Sequence, residues 1–211
     1  MMYRPRPFVV DDPAALHAVI RARVFATLAL AHEGRVHLAY APVVFDAAEG
    51  SGTLRFHLAR ANPLAGLADG ARFAVSFAGP DAYVSPDWYA TEAMVPTWNY
   101  IAVEGEGIAT SLDRAGLVTL LEDLSTQEEE KLRPKPPWRL DKLAHARQDA
   151  LLSAIAGFSL RLDRLEGKFK LSQDKTSADF AGAVAGLEAR GDTASLAVAA
   201  AMRAAKKPTA P

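Results

Sequence analysis

Three runs of alternating apolar and polar residues, joined by short turns, constrain this chain more than anything else in it. FATLAL (25–30), VHLAYAPVVF (36–45) and TLRFHLA (53–59) each read as a strand. His32-Glu33-Gly34 supplies the first turn and the polar, Gly-rich AAEGSG the second. In the third run Leu54, Phe56 and Leu58 fall on one face, Arg55 and His57 on the other. Connections this short suit antiparallel neighbours and leave no room for crossover helices. The segment is therefore a meander, and the pattern argues against a Rossmann fold.

The rest of the chain extends that plan. RFAVSF (72–77) is a fourth strand, stopped by Gly79-Pro80, and Thr97 to Thr110 is a long one whose Gly105 and Gly107 mark bulges or barrel bends. FSLRLDRLEGKFKL returns to alternation late in the sequence. Between the strands lie helices. Asp12-Pro13 opens one, and Asn62-Pro63 opens a short one that Gly70 ends. DRAGLVTLLEDLSTQEEEKL places Leu117, Leu120, Leu121 and Leu124 on one stripe, RPKPPW breaks it, and DKLAHARQDALLSAIAG follows with Gly157 as its C′ residue. Five or six strands with inserted helices predict a mainly β, antiparallel barrel carrying peripheral helices. Residues 1–176 would form that domain and 177–211 an Ala-rich helical tail, with a stop at Gly191-Asp192 and a frayed KKPTAP end.

Composition excludes several functions. The chain has 211 residues, half of them hydrophobic, and a formal net charge of −1, which gives no basic footprint for nucleic acid. It holds no cysteine, so thiolate metal sites and disulfides are absent. The five histidines show neither H-x-H nor H-E-x-x-H spacing. Gly105-Glu106-Gly107 lacks the third glycine of a dinucleotide fingerprint, and there is no Walker loop or G-x-S-x-G elbow. No run reaches the ~18 apolar residues of a membrane span, and MMYRPRPFVVDDP has no apolar signal region, so a cytoplasmic protein is expected.

Three constellations remain. In HLARANP (57–63), Arg60 ends a strand beside the Asn62-Pro63 helix start. That is either an anion cradle or an ordinary strand-to-helix turn with a solvated arginine. In GPDAYVSPDWY (79–89) and VPTWNY (95–100), Tyr83, Trp88, Tyr89, Trp98 and Tyr100 crowd together. Such rings either stack on a flat ligand or close a barrel mouth by their own packing. In EGKFKLSQ (166–173), Lys168 and Lys170 share a strand face while Phe169 points away. Alone, that is a solvated edge.

In this order, HLARANP, SP-x-WY with VPTWNY, and EGKFKLSQ resemble the PaiB-like family, the FMN-binding negative transcriptional regulators. The similarity runs from about Tyr3 to Leu187. It implies an FMN-binding split β-barrel of the pyridoxamine-phosphate-oxidase type, assembled as a homodimer with flavin sites at the interface. Arg60 and Asn62 would hold the phosphate. Trp98 and Asn99 would lie beside the ring, Trp88 would close the pocket, and Lys168, Lys170 and Gln173 would reach in from the late strand. The family's second strand commonly carries Thr-His two residues before its proline, whereas here Ala39-Tyr40 precede Ala41-Pro42, replacing a polar contact with a larger ring. The implied function is that of a flavin or small-ligand sensor in transcription, with DNA as a partner by resemblance alone. The alternatives are a flavin-dependent oxidoreductase, for which no residue stands out as an acid–base catalyst, and a non-catalytic flavin- or haem-binding module.

Overall fold

The computed structural model describes residues 2–47 and 50–205. Strands β1 (Val9–Val10), β2 (Phe25–His32), β3 (Arg35–Asp46), β4 (Thr53–Ala59), β5 (Arg72–Val84), β6 (Thr97–Ser111) and β7 (Ile155–Lys170) make one sheet, in the order β1-β7-β4-β3-β2-β5-β6. A further pairing of β7 with β6 closes it. The helices are α1 (Pro13–Ala22), α2 (Pro63–Leu67), α3 (Arg114–Glu129), α4 (His145–Ser153), α5 (Ser177–Arg190) and α6 (Thr193–Ala205). By contact density the chain forms two compact units. One is His17–Phe77 with Glu104–Leu165; the other is Met1–Leu16 with Ala78–Val103 and Glu166–Pro211.

The larger unit contains the expected meander. β2 and β3 pair from Phe25↔Pro42 to His32↔Arg35, and β3 and β4 from Val43↔Phe56 to Asp46↔Thr53. Glu33 and Gly34, with φ of 48° and 72°, make the two-residue turn whose twist suits such a hairpin. The alternation of β4 carries through, since Leu54 and Phe56 are fully buried. Phe56 packs against Phe73 and Phe158 at ring separations of 6.0 and 5.5 Å. Behind β3, Leu117 and Leu120 of α3 and Leu152 of α4 close a second cluster with Val44. Arg55 clamps it by pairing with Asp46 and Asp123, both at 2.7 Å. Gly107 explains itself sterically, because a Cβ there would sit 2.0 Å from the Arg161 carbonyl oxygen. The two backbones approach too closely for any side chain.

In the smaller unit α5 and α6 pack over Ala82, Val84, Tyr89 and Leu171, with Leu187, Val198 and Met202 at the centre. Gly191 ends α5 in the left-handed conformation, φ 73°, as the Gly-Asp stop implied. The expected frayed end at 206–211 lies outside the described residues, as do positions 48 and 49 of the AAEGSG turn.

Two local expectations are corrected. β5 does not stop at Gly79-Pro80 but runs on to Val84. Its pairing with β2 covers only Phe73–Ser76, so at Pro80 that flank has no ladder bond to lose. Gly157 is not a helix C′ residue, for α4 ends at Ser153 and Gly157 is a strand residue opposite His57. Pairing of Ile155–Gly157 with β4 overrides the helix propensity of the AIAG stretch. The glycine instead admits α3 closely, since a Cβ would meet Leu117 Cδ1 at 3.0 Å.

Candidate functional site

Arg60 and Asn62 belong to the larger unit, and the other six sequence-predicted residues to the smaller one. Arg60 follows the last residue of β4. Its backbone N–H donates to Ala154 O at 2.9 Å and its Nε to Ser153 O at 3.1 Å. These bonds hold one edge of the guanidinium and leave the rest for a cleft shared with Ser111, Asp113, Arg114, Ser153 and Gly157. The acids nearby are occupied: Asp113 accepts from Gly116 N at 2.8 Å as the cap of α3, and Asp149 pairs with Arg114. Among the described residues no carboxylate pairs with Arg60. Asn62 is a helix cap, its Oδ1 accepting from Leu64 N at 3.0 Å. With five residues α2 has almost no helix field. The cations of this cleft are Arg60 and Arg114, the latter paired with Asp149.

In the smaller unit, the period of two along β6 separates Trp98 and Tyr100 from Asn99. Trp98 is half-exposed and meets Tyr83 edge-on at 6.3 Å. On β7, Lys168 stands over the rings of both Tyr100 and Tyr3, at 5.4 and 5.2 Å. Lys170 donates to Thr97 Oγ1 and, at 2.9 Å, to Trp98 O. Burial holds the Lys170 ammonium below the usual lysine range, and the neighbouring charges of Lys168 and Lys175 push the same way against Asp174. Trp98, Tyr100, Lys168 and Lys170 thus gather on one accessible aromatic and cationic face. Such a face can stack a flat ring and stabilise negative charge on its edge.

Asn99, Gln173 and Trp88 do not join it. Asn99 is fully buried, and its Nδ2 donates to Ser172 Oγ at 2.9 Å and to Met202 Sδ at 3.3 Å. Gln173 folds back on its own turn, its Oε1 accepting from Leu171 N at 2.7 Å and its Nε2 donating to Phe169 O. Trp88 lies on α5, with its ring over Gly186 and its carbonyl against Gly182. Sequence reasoning left Tyr3 and Arg114 out of the site and placed Tyr100 only in the aromatic cluster. Tyr100 was legible, being two residues from Trp98 on the same strand face. Tyr3 and Arg114 were not, because their neighbours are set by tertiary structure.

An antiparallel sheet closed by the β7–β6 pairing is the fold of the flavin-binding split β-barrels. Residues 2–164 match the family described as "Putative FMN-binding domain". The chain belongs to this family, and FMN is its cofactor. It is similar to the Protease synthase and sporulation protein PAI 2 of Bacillus subtilis, 30% identical over 181 residues that cover 85% of this chain and 86% of that protein. It is also similar to the uncharacterized protein AN0679 of Emericella nidulans, 32% identical over 75% of each chain. Among solved structures, the FAD and heme binding protein of Mycobacterium smegmatis shares the fold at 17% identity and a TM-score of 0.56, covering 77% of this chain and 73% of that one. The flavocytochrome Anf3 of Azotobacter vinelandii does so at 19% identity and 0.56, over 80% and 72%. Lys168, Lys170 and Gln173 fall beyond the family match.

FMN asks for a cradle for its phosphate and a surface for its ring. In the larger unit no carboxylate among the described residues pairs with Arg60, and in the smaller unit the Trp98–Tyr100 face carries the ammonium groups of Lys168 and Lys170. No helix of the described residues is long and apolar enough to cross a membrane.

Proposed function

We propose that the chain is an FMN-binding regulator of the PaiB-like class, a flavin sensor rather than an enzyme. The observation that carries this is the aromatic and cationic face of Trp98, Tyr100, Lys168 and Lys170. Its ionisable groups are lysines and tyrosines, and Lys170 is already committed to Thr97 and to the Trp98 carbonyl. The face can hold a flavin and tune its charge, and the carboxylate beside it, Glu166 two residues before Lys168 on β7, is engaged by Arg4 at 3.3 Å. When bound, FMN would supply the redox and light-absorbing chemistry. Arg60, and with it Arg114, is the proposed partner of the phosphate. The name of the Bacillus relative, which joins protease synthase to sporulation, points towards a regulatory output.

The output is proposed to run through protein contacts. No described helix contains more than one Lys or Arg, so none is a basic recognition helix for the major groove. The working unit is proposed to be a homodimer. Phe25, Val36, Leu38 and Tyr40, 55–71% exposed, make an apolar face on the β2–β3 hairpin, as a self-complementary interface requires.

The experiment is an absorbance spectrum of the purified protein loaded with FMN, followed by anaerobic NADH addition. A saturable flavin band with no NADH-driven bleaching is expected. Catalytic bleaching would replace the sensor with an oxidoreductase.

A further inference from the structure

In the smaller unit the segment ahead of β1 is tied to β7 at several points. Val9 and Val10 pair with Lys168 and Gly167, and the Phe8 side chain is buried. Arg4 bridges Asp11 at 2.5 Å and Glu166 at 3.3 Å, and Met2 N donates to the same Glu166 carboxylate at 3.3 Å. Tyr3 sits between these two anchored residues and is 81% exposed. Its ring meets the Lys168 ammonium, whose Nζ lies 5.2 Å from the Tyr3 ring centre and 5.4 Å from that of Tyr100. Glu166 and Lys168 are two residues apart on β7 and so share a side of the strand. The carboxylate nearest to Lys168 along the strand is thus taken by Arg4, and among the described residues no carboxylate pairs with Lys168. The ammonium rests on two aromatic faces instead, which attract it without cancelling its charge.

We infer that Tyr3 is a positioning residue of the ligand face: it holds the Lys168 charge in place for a flat ring that carries negative charge on its edge. This rests on the flavin reading and deepens it, because a fully reduced flavin carries such a charge at neutral pH and an oxidised one does not. A free lysine samples many rotamers, and ordering it at the moment of binding costs entropy. Two rings that already confine the ammonium remove part of that cost, and Arg4 removes the competing carboxylate. The face therefore favours the reduced ring over the oxidised one. Tyr3 sets part of that preference through Lys168, without itself needing to touch the ligand.

The test is a pair of anaerobic titrations of the full chain, with oxidised riboflavin and with riboflavin reduced by dithionite. Riboflavin lacks the phosphate, so the readout is the ring face alone. Wild type should bind the reduced form more tightly. Tyr3→Ala should cut that preference about two- to fivefold, the scale of one exposed cation–π contact. Tyr3→Phe keeps the ring and should keep the preference. With Lys168→Gln the preference should be gone, and adding Tyr3→Ala should change nothing further. Tyr3 is exposed, so neither change at it threatens the fold. An unaltered preference in Tyr3→Ala, its loss in Tyr3→Phe, or an equal Tyr3→Ala effect with and without Lys168 would overturn the inference. Trp98→Ala separates the two readings. If it weakens both forms while Tyr3→Ala alters neither, the flavin face stands and the role of Tyr3 falls; if no variant matters, both fall.

Discussion

Replacing Arg60 with alanine tests the proposal that its guanidinium meets the FMN phosphate. Hydrogen bonds to a charged group are worth about 1.5–3 kcal/mol where they are protected from water. Arg60 is an exposed residue, so solvent screening places the expected loss at the lower end. A loss of about 1.4 kcal/mol weakens FMN binding roughly tenfold. The fold should survive. The Nε bond to the Ser153 carbonyl goes, but the backbone bond from Arg60 N to Ala154 O at 2.9 Å stays, as does the β4–β7 pairing before it. The assay is a flavin-fluorescence titration of wild type and Arg60→Ala with FMN and with riboflavin, which lacks the phosphate. FMN should lose affinity, riboflavin should not, and the FMN effect should shrink with added salt because the charge pair is exposed. If both ligands weaken equally, or FMN does not weaken, Arg60 is a solvated turn residue and the phosphate lies elsewhere.

Three further outcomes follow from the packing. Gly186→Ala drives a methyl group to within 2.2–2.6 Å of the Trp88 ring, so thermal unfolding should show a loss of about 1–3 kcal/mol, whereas Gly66→Ala, with open space around it, should not. Asp179 accepts from Thr91 N and Oγ1 at 2.8 Å and from Thr176 Oγ1 at 2.9 Å, and these bonds hold its pKa below the usual aspartate value, the Thr91 N–H most of all. Its stabilisation is therefore complete above about pH 4 and lost as pH falls through the lower folded value, so the urea-midpoint gap between wild type and Asp179→Asn should close in acid; a constant gap refutes the assignment. Light scattering should return a dimer at micromolar concentration, and Leu38→Lys, at a position 55% exposed, should release a 22.6 kDa monomer of unchanged circular dichroism.

The strands were legible because half-buried sheet writes itself in a period of two. TLRFHLA was bounded to the residue, and Leu54, Phe56 and Leu58 are the buried set. Proline and glycine were read too simply. Pro80 sits where β5 lacks its β2 partner, and Gly157 serves a helix that packs from elsewhere, so neither reveals its role from its neighbours in sequence. Strand β1 escaped notice because two residues carry no period; Val9 and Val10 become a strand only through Lys168 and Gly167. The candidate site divides in the same way. The alternation that puts Trp98 and Tyr100 together also sends Asn99 to the other face, so that separation could be read directly. The seat of Trp88 on Gly182 and Gly186 could not, since it depends on where α5 lands.

The pairing of β4 with β7 joins Thr53–Ala59 to residues 155–161. On the ribosome the meander can form as soon as it emerges, but its outer edge must wait for about a hundred more residues. At ~5–20 residues per second that delay is roughly 5–20 s. Throughout it, the apolar stripe of Leu54, Phe56 and Leu58 borders an open row of N–H and C=O groups, a template for any neighbouring chain. Yield of soluble protein in a cell should therefore follow the pace of translation and the supply of chaperones, even while the finished molecule is stable.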